Sequence, residues 1–307
     1  MPKYAAIDIG SNAVRILFAQ VVEKEDDVPS FIKLSLIRLP IRLGADSFLS
    51  GNISKENENK LGHMLNAFKS LYEVYDIEDY YATATSAMRD AKNGQEIIKR
   101  LQKQSGITIN IISGQEEATI LFEGIYNTGK LDFKKNYMLI DVGGGSTEII
   151  FFVKGKQMNS SSFNLGAIRL KEKLQDDKEW EQFYSWISKN AKKYQPDYAI
   201  GTGGNINEIY KQCSLKSWEM LSVKKLDKKL QLLKQFKPTE LIKQFNMKSD
   251  RADVITYGGK IYLKAMHKSN LHKMIVPKVG LSDGLIRRIY LAHKHKNSDK
   301  PKQKSHR

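Results

Sequence analysis

The sequence predicts an α/β protein of two related domains that face each other across a cleft, and three observations predict it. First, an apolar run closing on an Asp, a bend of small residues and a second apolar run occur twice. The copies are Tyr4 to Phe18, around Asp8-Ile9-Gly10-Ser11-Asn12, and Tyr137 to Phe151, around Asp141-Val142-Gly143-Gly144-Gly145-Ser146-Thr147. β-Branched and aromatic residues flank both bends, so each copy reads as a β-hairpin. Second, strand-like and helix-like segments alternate through the rest of the chain. Third, 307 residues suit two domains of ordinary size, each able to bury a core.

In chain order, Phe31 to Leu43 alternates apolar and basic residues and reads as one or two further strands. Ser54 caps a helix carrying Leu61, Met64, Leu65, Phe68 and Leu71 at helical spacing. Tyr80 to Thr85 is a strand, and Ser86 to Asp90 enters a helix. Ile107 to Ile112 is a strand, after which Ser113 caps a helix with Glu116 three residues on, as in a capping box. Glu117 projects from another face of that first turn, where the helix dipole favours an ionised carboxylate with a lowered pKa.

Pro196 to Ile200 is a strand that ends at Gly201-Thr202-Gly203-Gly204-Asn205, from which a helix continues to Tyr210. From Lys211 to Lys248, ten Lys stand against three acids, with Leu226, Leu230, Leu233 and Phe236 at near-helical spacing. Met274 to Val279 is a late strand. His293 to Arg307 is polar and Lys-rich without apolar periodicity, which suits a disordered tail or a frayed helix end.

The chemistry that such bends permit is phosphate binding. Glycine lets the chain approach an anion and turn successive N–H groups toward it. Ser11, Asn12, Ser146 and Thr147 add side-chain donors, and an Asp at the strand end can hold Mg²⁺. An ordinary hairpin turn explains either bend alone; it does not explain the same Asp twice.

Composition narrows the field. The chain is 41% hydrophobic and 27% charged, as expected of a globular protein. The start of the chain lacks a basic-then-apolar signal segment, and no apolar run approaches the roughly 18 residues of a membrane span, which predicts a cytoplasmic location and no membrane partner. The single Cys213 excludes an internal disulfide and reads as a small buried residue. Residues 1–210 carry 26 Lys/Arg against 27 Asp/Glu, so the last 97 residues hold the whole excess of the +16 net charge. That suits a polyanionic partner or, equally, a solvated Lys face. Nucleic acid has only charge in its favour, because no basic motif interleaved with aromatics is present.

Four motifs stand in a specific order: Asp8-x-Gly10-Ser11-Asn12, Ser113-Gly114-Gln115-Glu116-Glu117-Ala118, Asp141 to Glu148, and Gly201-Thr202-Gly203-Gly204. Together they resemble the exopolyphosphatase/guanosine pentaphosphate phosphatase (Ppx/GppA) family, over about residues 4–290. The resemblance implies two ribonuclease-H-like domains of the actin, sugar kinase and chaperone ATPase superfamily, with the active site in the cleft between them. Domain I is placed at 1–124, with a helix at about 284–300 returning to it. Domain II is placed at 125–283, and a basic tail at 293–307, as in the short two-domain form.

The activity this resemblance implies is Mg²⁺-dependent hydrolysis of a terminal phosphoanhydride, with inorganic polyphosphate as substrate. Guanosine pentaphosphate 5′-phosphohydrolase, or a non-catalytic alarmone or nucleotide-binding regulator, is the alternative; a homodimer is compatible with either. Glu117 would activate the attacking water, against a competing role as a surface first-turn Glu. Asp8, Asp141 and Glu148 would hold Mg²⁺ or another divalent cation. Gly10, Ser11, Asn12, Arg15, Arg89, Gly143, Gly144, Gly145, Ser146 and Thr147 would cradle the phosphoryl group, Arg89 having a helix-surface cation as its plain alternative. Gly203, Gly204 and Arg251 would contact distal parts of the substrate.

Overall fold

In the computed structural model, which describes residues 1–23, 29–126 and 128–298, the first hairpin is β1 (Lys3–Ile9) and β2 (Val14–Val22), in a register that sets Asp8 opposite Arg15. β3 (Ser30–Leu39) adds antiparallel to β2, so the alternation from Phe31 is one strand. Leu43 already belongs to a helix, α1 (Leu43–Ser50), that the pattern did not announce. α2 (Lys55–Val74) starts where expected: Ser54 accepts the Asn57 N–H, and Leu61, Met64, Leu65 and Phe68 are buried. β4 (Asp79–Ala84) runs parallel to β1, and α3 (Ser86–Asp90) and α4 (Gly94–Ser105) lead to β5 (Ile109–Ile111), parallel to β4. The sheet order is therefore β3-β2-β1-β4-β5.

After α5 (Gly114–Tyr126) the same architecture returns. β6 (Asn136–Val142), β7 (Thr147–Val153) and β8 (Lys156–Phe163) form a second antiparallel meander. α6 (Ala167–Lys171) and α7 (Asp177–Tyr194) lead to β9 (Tyr198–Thr202), parallel to β6. Then come α8 (Gly204–Gln212), β10 (Leu221–Ser222), α9 (Val223–Leu233), α10 (Pro238–Phe245), α11 (Ser249–Ala252), α12 (Ile255–Lys268), β11 (Lys273–Ile275) and α13 (Leu281–Ser298). The order β10-β11-β9-β6-β7-β8 repeats the first sheet with one short edge strand added. The expected pair of ribonuclease-H-like α/β domains is what the chain forms.

The Lys-rich stretch is not one helix. Pro238 fixes the first turn of a new one, α10, because proline fits a helix only near its start. On α9, Leu226, Leu230 and Leu233 are buried while Lys224, Lys225 and Lys228 are exposed, the arrangement of a solvated Lys face. Cys213 is buried, as expected.

α5 is the element that places the chemistry, because it lies between the two sheets. Its Ile120 buries into a cluster with Tyr4, Ala6 and Leu17, while Leu121, Phe122 and Ile125 bury against Leu139, Ile150 and Phe152 of the second sheet. Phe122 stacks on Phe152 with ring centroids 3.4 Å apart. Full burial of such side chains contributes roughly 1.5–3 kcal/mol each, enough to fix this helix against both sheets.

α13 closes the first sheet: Leu285, Ile286, Ile289 and Tyr290 pack on Tyr4, Leu17, Ala19 and Val21. It also lies against α5 so closely that a Cβ at Gly284 would meet the Ile120 carbonyl oxygen at 2.0 Å. The expected tail overlaps this helix. α13 runs to Ser298, so 293–298 complete it, and 299–307 lie outside the described residues.

Candidate active site

The two bends face each other across a cavity of about 270 Å³. Gly10, Ser11, Asn12 and Arg15 line it from the first sheet, and Asp141, Gly143, Gly144 and Ser146 from the second. The main-chain N–H groups of Ser11, Asn12, Gly144 and Gly145 meet no acceptor among the described residues. Each bend thus offers unmatched donors beside the cavity, those of Ser11 and Asn12 from the first and of Gly144 from the second, as an anion-binding turn requires. Ser11 Oγ lies 2.7 Å from Ser86 Oγ, which ties the first bend to the start of α3.

Three carboxylates gather where α5 meets β6 and β7. Oxygens of Glu117, Asp141 and Glu148 lie within 4.8 Å of one another. Glu148 stands across the ladder from Asp141 and accepts hydrogen bonds from Ser146 (2.8 Å) and Ser162 (2.9 Å). Asp141 accepts from Thr202 Oγ1 at 2.8 Å. Glu117 arrives from α5, and the glycine before it explains how: a Cβ at Gly114 would meet Ser162 Oγ at 2.7 Å and Glu148 Oε1 at 3.1 Å. Only a residue without a side chain lets this helix start so close to β7 and β8.

Enclosing like charges raises every carboxyl in the group. Burial, then the Asp141 charge, pushes Glu148 up to about 7; burial pushes Asp141 up to about 6. Glu117 rises well above the usual carboxylate range through burial, then the charges of Glu148, Asp141 and Asp8. This corrects the expectation that its helix N-terminus would lower its pKa: burial and three neighbouring acids outweigh the dipole. Glu117 Oε2 is buried with no hydrogen-bond partner among the described residues. An enclosed oxygen-only donor set with an unmatched oxygen fits a hard divalent cation.

Cations line the same cavity. Arg15 donates to Asp8 at 2.8 Å, and Arg38 and Arg251 also line the cavity. Arg251 is buried, donates to Asn205 Oδ1 at 2.7 Å, and is pressed down to about 10 by burial and then by Arg38 and Arg15. A clasp crosses the mouth: Arg38 and Asn12 from the first sheet both bind Asp250 on α11, and Arg42 binds Asp253 at 2.7 Å.

Most expected residues converge here, with exceptions. Asp8 lines the cavity, but its partner is Arg15, and Glu117 takes the third place in the carboxylate cluster. Glu148, Arg89, Gly145 and Thr147 are absent from the cavity lining, although Glu148 adjoins it through its cluster with Glu117 and Asp141. Arg89 donates to the Ile112 carbonyl at 2.8 Å, although its charge acts on Glu117 and Glu148 from there. Gly145 is covered by Phe48, and its carbonyl accepts from Arg169; Thr147 Oγ1 is engaged by the Leu165 carbonyl. Gly203 and Gly204 do line the cavity, with Arg251 in the space a Gly204 side chain would need. Glu116 keeps its cap position, its N–H donating to Ser113 Oγ at 3.1 Å, while its carboxylate faces Arg288 at 3.4 Å.

The sequence reading missed Arg38, Asp250, Thr202 and Ser162. Thr202 sat inside a motif already singled out. Ser162 left no signal, because only the register of the unread β8 brings it opposite Glu148.

A model of the Ppx/GppA phosphatase family matches residues 21–293. The chain belongs to this family. A bifunctional 3-dehydroquinate synthase/phosphatase of Fusobacterium nucleatum is 35% identical over 173 residues, 55% of this chain and 26% of that protein. Exopolyphosphatase 1 of Mycobacterium tuberculosis is 28% identical over 181 residues, 57% of this chain and 50% of that protein. The matches thus cover half or less of these curated relatives. Among solved structures, a Ppx/GppA family member from Aquifex aeolicus superposes with a TM-score of 0.77 at 24% identity, covering 96% of this chain and 99% of that one. An exopolyphosphatase from Cytophaga hutchinsonii gives 0.81 at 20% identity, covering 94% and 98%. These two likenesses show the fold. Among the described residues, no helix of this Ppx/GppA family member is long and apolar enough to cross a membrane.

Proposed function

We propose that this Ppx/GppA family member is an exopolyphosphatase that hydrolyses the terminal phosphoanhydride of inorganic polyphosphate. The observation that carries the reading is the convergence at one cleft of three carboxylates within 4.8 Å of one another, of Arg15, Arg38 and Arg251, and of bend N–H groups unmatched among the described residues. Asp141 and Glu148 would hold Mg²⁺ or another divalent cation, which when bound offsets phosphoryl charge and keeps these acids ionised.

The chain's own residues do the rest. N–H groups of the two bends bind the non-bridging oxygens of the terminal phosphoryl group, which fixes the phosphorus between the domains. Arg15 and Arg251 bind the anion that continues away from it. Glu117 orients a water for in-line attack and takes its proton at a carboxylate oxygen. A new P–O bond forms from water, the bridging P–O bond breaks, and orthophosphate and the shortened chain leave. In such steps, positioning and charge stabilisation supply most of the acceleration.

The test is phosphate release from long polyphosphate, tripolyphosphate and guanosine pentaphosphate, compared side by side with Mg²⁺. Long polyphosphate should be the best substrate. A clear preference for guanosine pentaphosphate would replace the substrate reading, and no release from any of them would favour a non-catalytic regulator.

A further inference from the structure

A second cavity, of about 680 Å³, lies where β3, the turn after α5, the Trp218 turn and the first turns of α13 meet. It is distinct from the catalytic cleft, although Val279 borders both. Its volume falls in the range of small-molecule sites. Lys33, Lys130, Lys278 and Arg287 line it, and the one acid among its described lining residues is Asp283. That acid is already engaged, by Lys33 at 2.6 Å and by the Gly280 N–H at 2.9 Å. The lining is therefore strongly cationic.

Three further observations point to a ligand. Arg287 Nε and Nη1 are buried and have no hydrogen-bond partner among the described residues, while the guanidinium carbon lies 5.7 Å from the centre of the Phe31 ring. Buried donors are nearly always matched, so these two ask for an acceptor that the described residues do not supply. Trp218 presents an indole to the same space, with Lys130 Nζ 5.3 Å from its ring centre. Finally, Trp218 (φ 68°) and Lys278 (φ 55°) both hold left-handed backbone, a conformation costly for such side chains and concentrated at ligand clamps.

We propose that this cavity is a second anion site that takes a nucleotide. The base stacks on Trp218, and the phosphates meet Arg287, Lys33 and Lys278. An inorganic phosphate chain would use the cations but would leave the Trp218 indole uncontacted.

The test is equilibrium dialysis of labelled ADP against the full chain, with adenosine and tripolyphosphate as competitors. ADP should bind saturably, and each competitor should bind about tenfold more weakly, since each lacks half of the recognised features. Arg287→Gln and Trp218→Leu should each weaken ADP about tenfold or more, while Arg251→Gln in the catalytic cleft should leave it within about twofold. Melting curves establish that the variants fold, and Arg287→Lys replaces Arg287→Gln if the latter does not. The proposal is overturned if ADP fails to saturate below about 1 mM, if tripolyphosphate binds as tightly as ADP, or if Arg251→Gln rather than Arg287→Gln abolishes binding.

Discussion

Asp141 and Glu148 stand directly opposite each other across the β6–β7 ladder, where the equivalent pair in the first hairpin is Asp8 and Arg15. One hairpin is internally neutralised; the other sets two acids face to face and receives a third from α5. Like charges opposed across a ladder destabilise it, a cost that a bound cation would offset.

Stability should therefore depend on pH in an unusual direction when metal is absent. Asp141 at about 6 and Glu148 at about 7 lie above the ordinary carboxylate range, so the folded chain holds protons that the unfolded chain releases. Their contribution is fully present below about pH 4 and is lost as pH rises to about 7. A divalent cation favours the ionised forms, so Mg²⁺ should raise Tm more at pH 8 than at pH 5. Melting in EDTA and in Mg²⁺ at both values checks this; an equal Mg²⁺ gain at the two pH values would count against the carboxylates as its site.

The two Asp residues should separate on mutation. Asp141→Asn removes a member of the carboxylate cluster, and its Mg²⁺ requirement for phosphate release should move to higher concentration. Asp8→Asn chiefly unpairs Arg15 and should shift that requirement less. Mg²⁺ titrations of both variants decide the point, and equal shifts would return Asp8 to the metal site.

Gly284→Ala tests how α5 is held. With the Ile120 carbonyl oxygen 2.0 Å from the added methyl, α13 must move away from α5, at a cost of about 1–3 kcal/mol. Urea unfolding should show the loss, with turnover impaired as well, because Glu117 rides on α5. Unchanged stability would mean the α5–α13 approach is looser than described.

The sequence made the site legible where chemistry recurs and opaque where only register brings residues together. The repeated Asp and the small-residue bends were readable because each is local. Arg38 and Asp250 were not: they are 212 positions apart, one in an alternating strand, the other on a four-residue helix. Glu117 was singled out, yet its ionisation was misread, because a helix dipole is visible in sequence and the surrounding acids are not. In the Lys-rich stretch the leucine spacing from Leu226 to Phe236 was readable as helical, whereas the separate helix that Pro238 starts carries too few apolar residues to show a period of its own.

The account's central claim is that Glu117 acts on water rather than on binding, and Glu117→Gln tests it most directly. The change keeps the side chain's size and removes a carboxylate whose ionised form burial and the neighbouring acids disfavour, so the protein should fold at least as well at neutral pH. Phosphate release from polyphosphate should fall by about 10²-fold or more, the scale of general-base loss, while equilibrium affinity for polyphosphate holds or rises. Glu116→Gln, at the cap and facing Arg288, should keep turnover within a few fold. Full turnover in Glu117→Gln, or a dead Glu116→Gln beside it, would contradict the account.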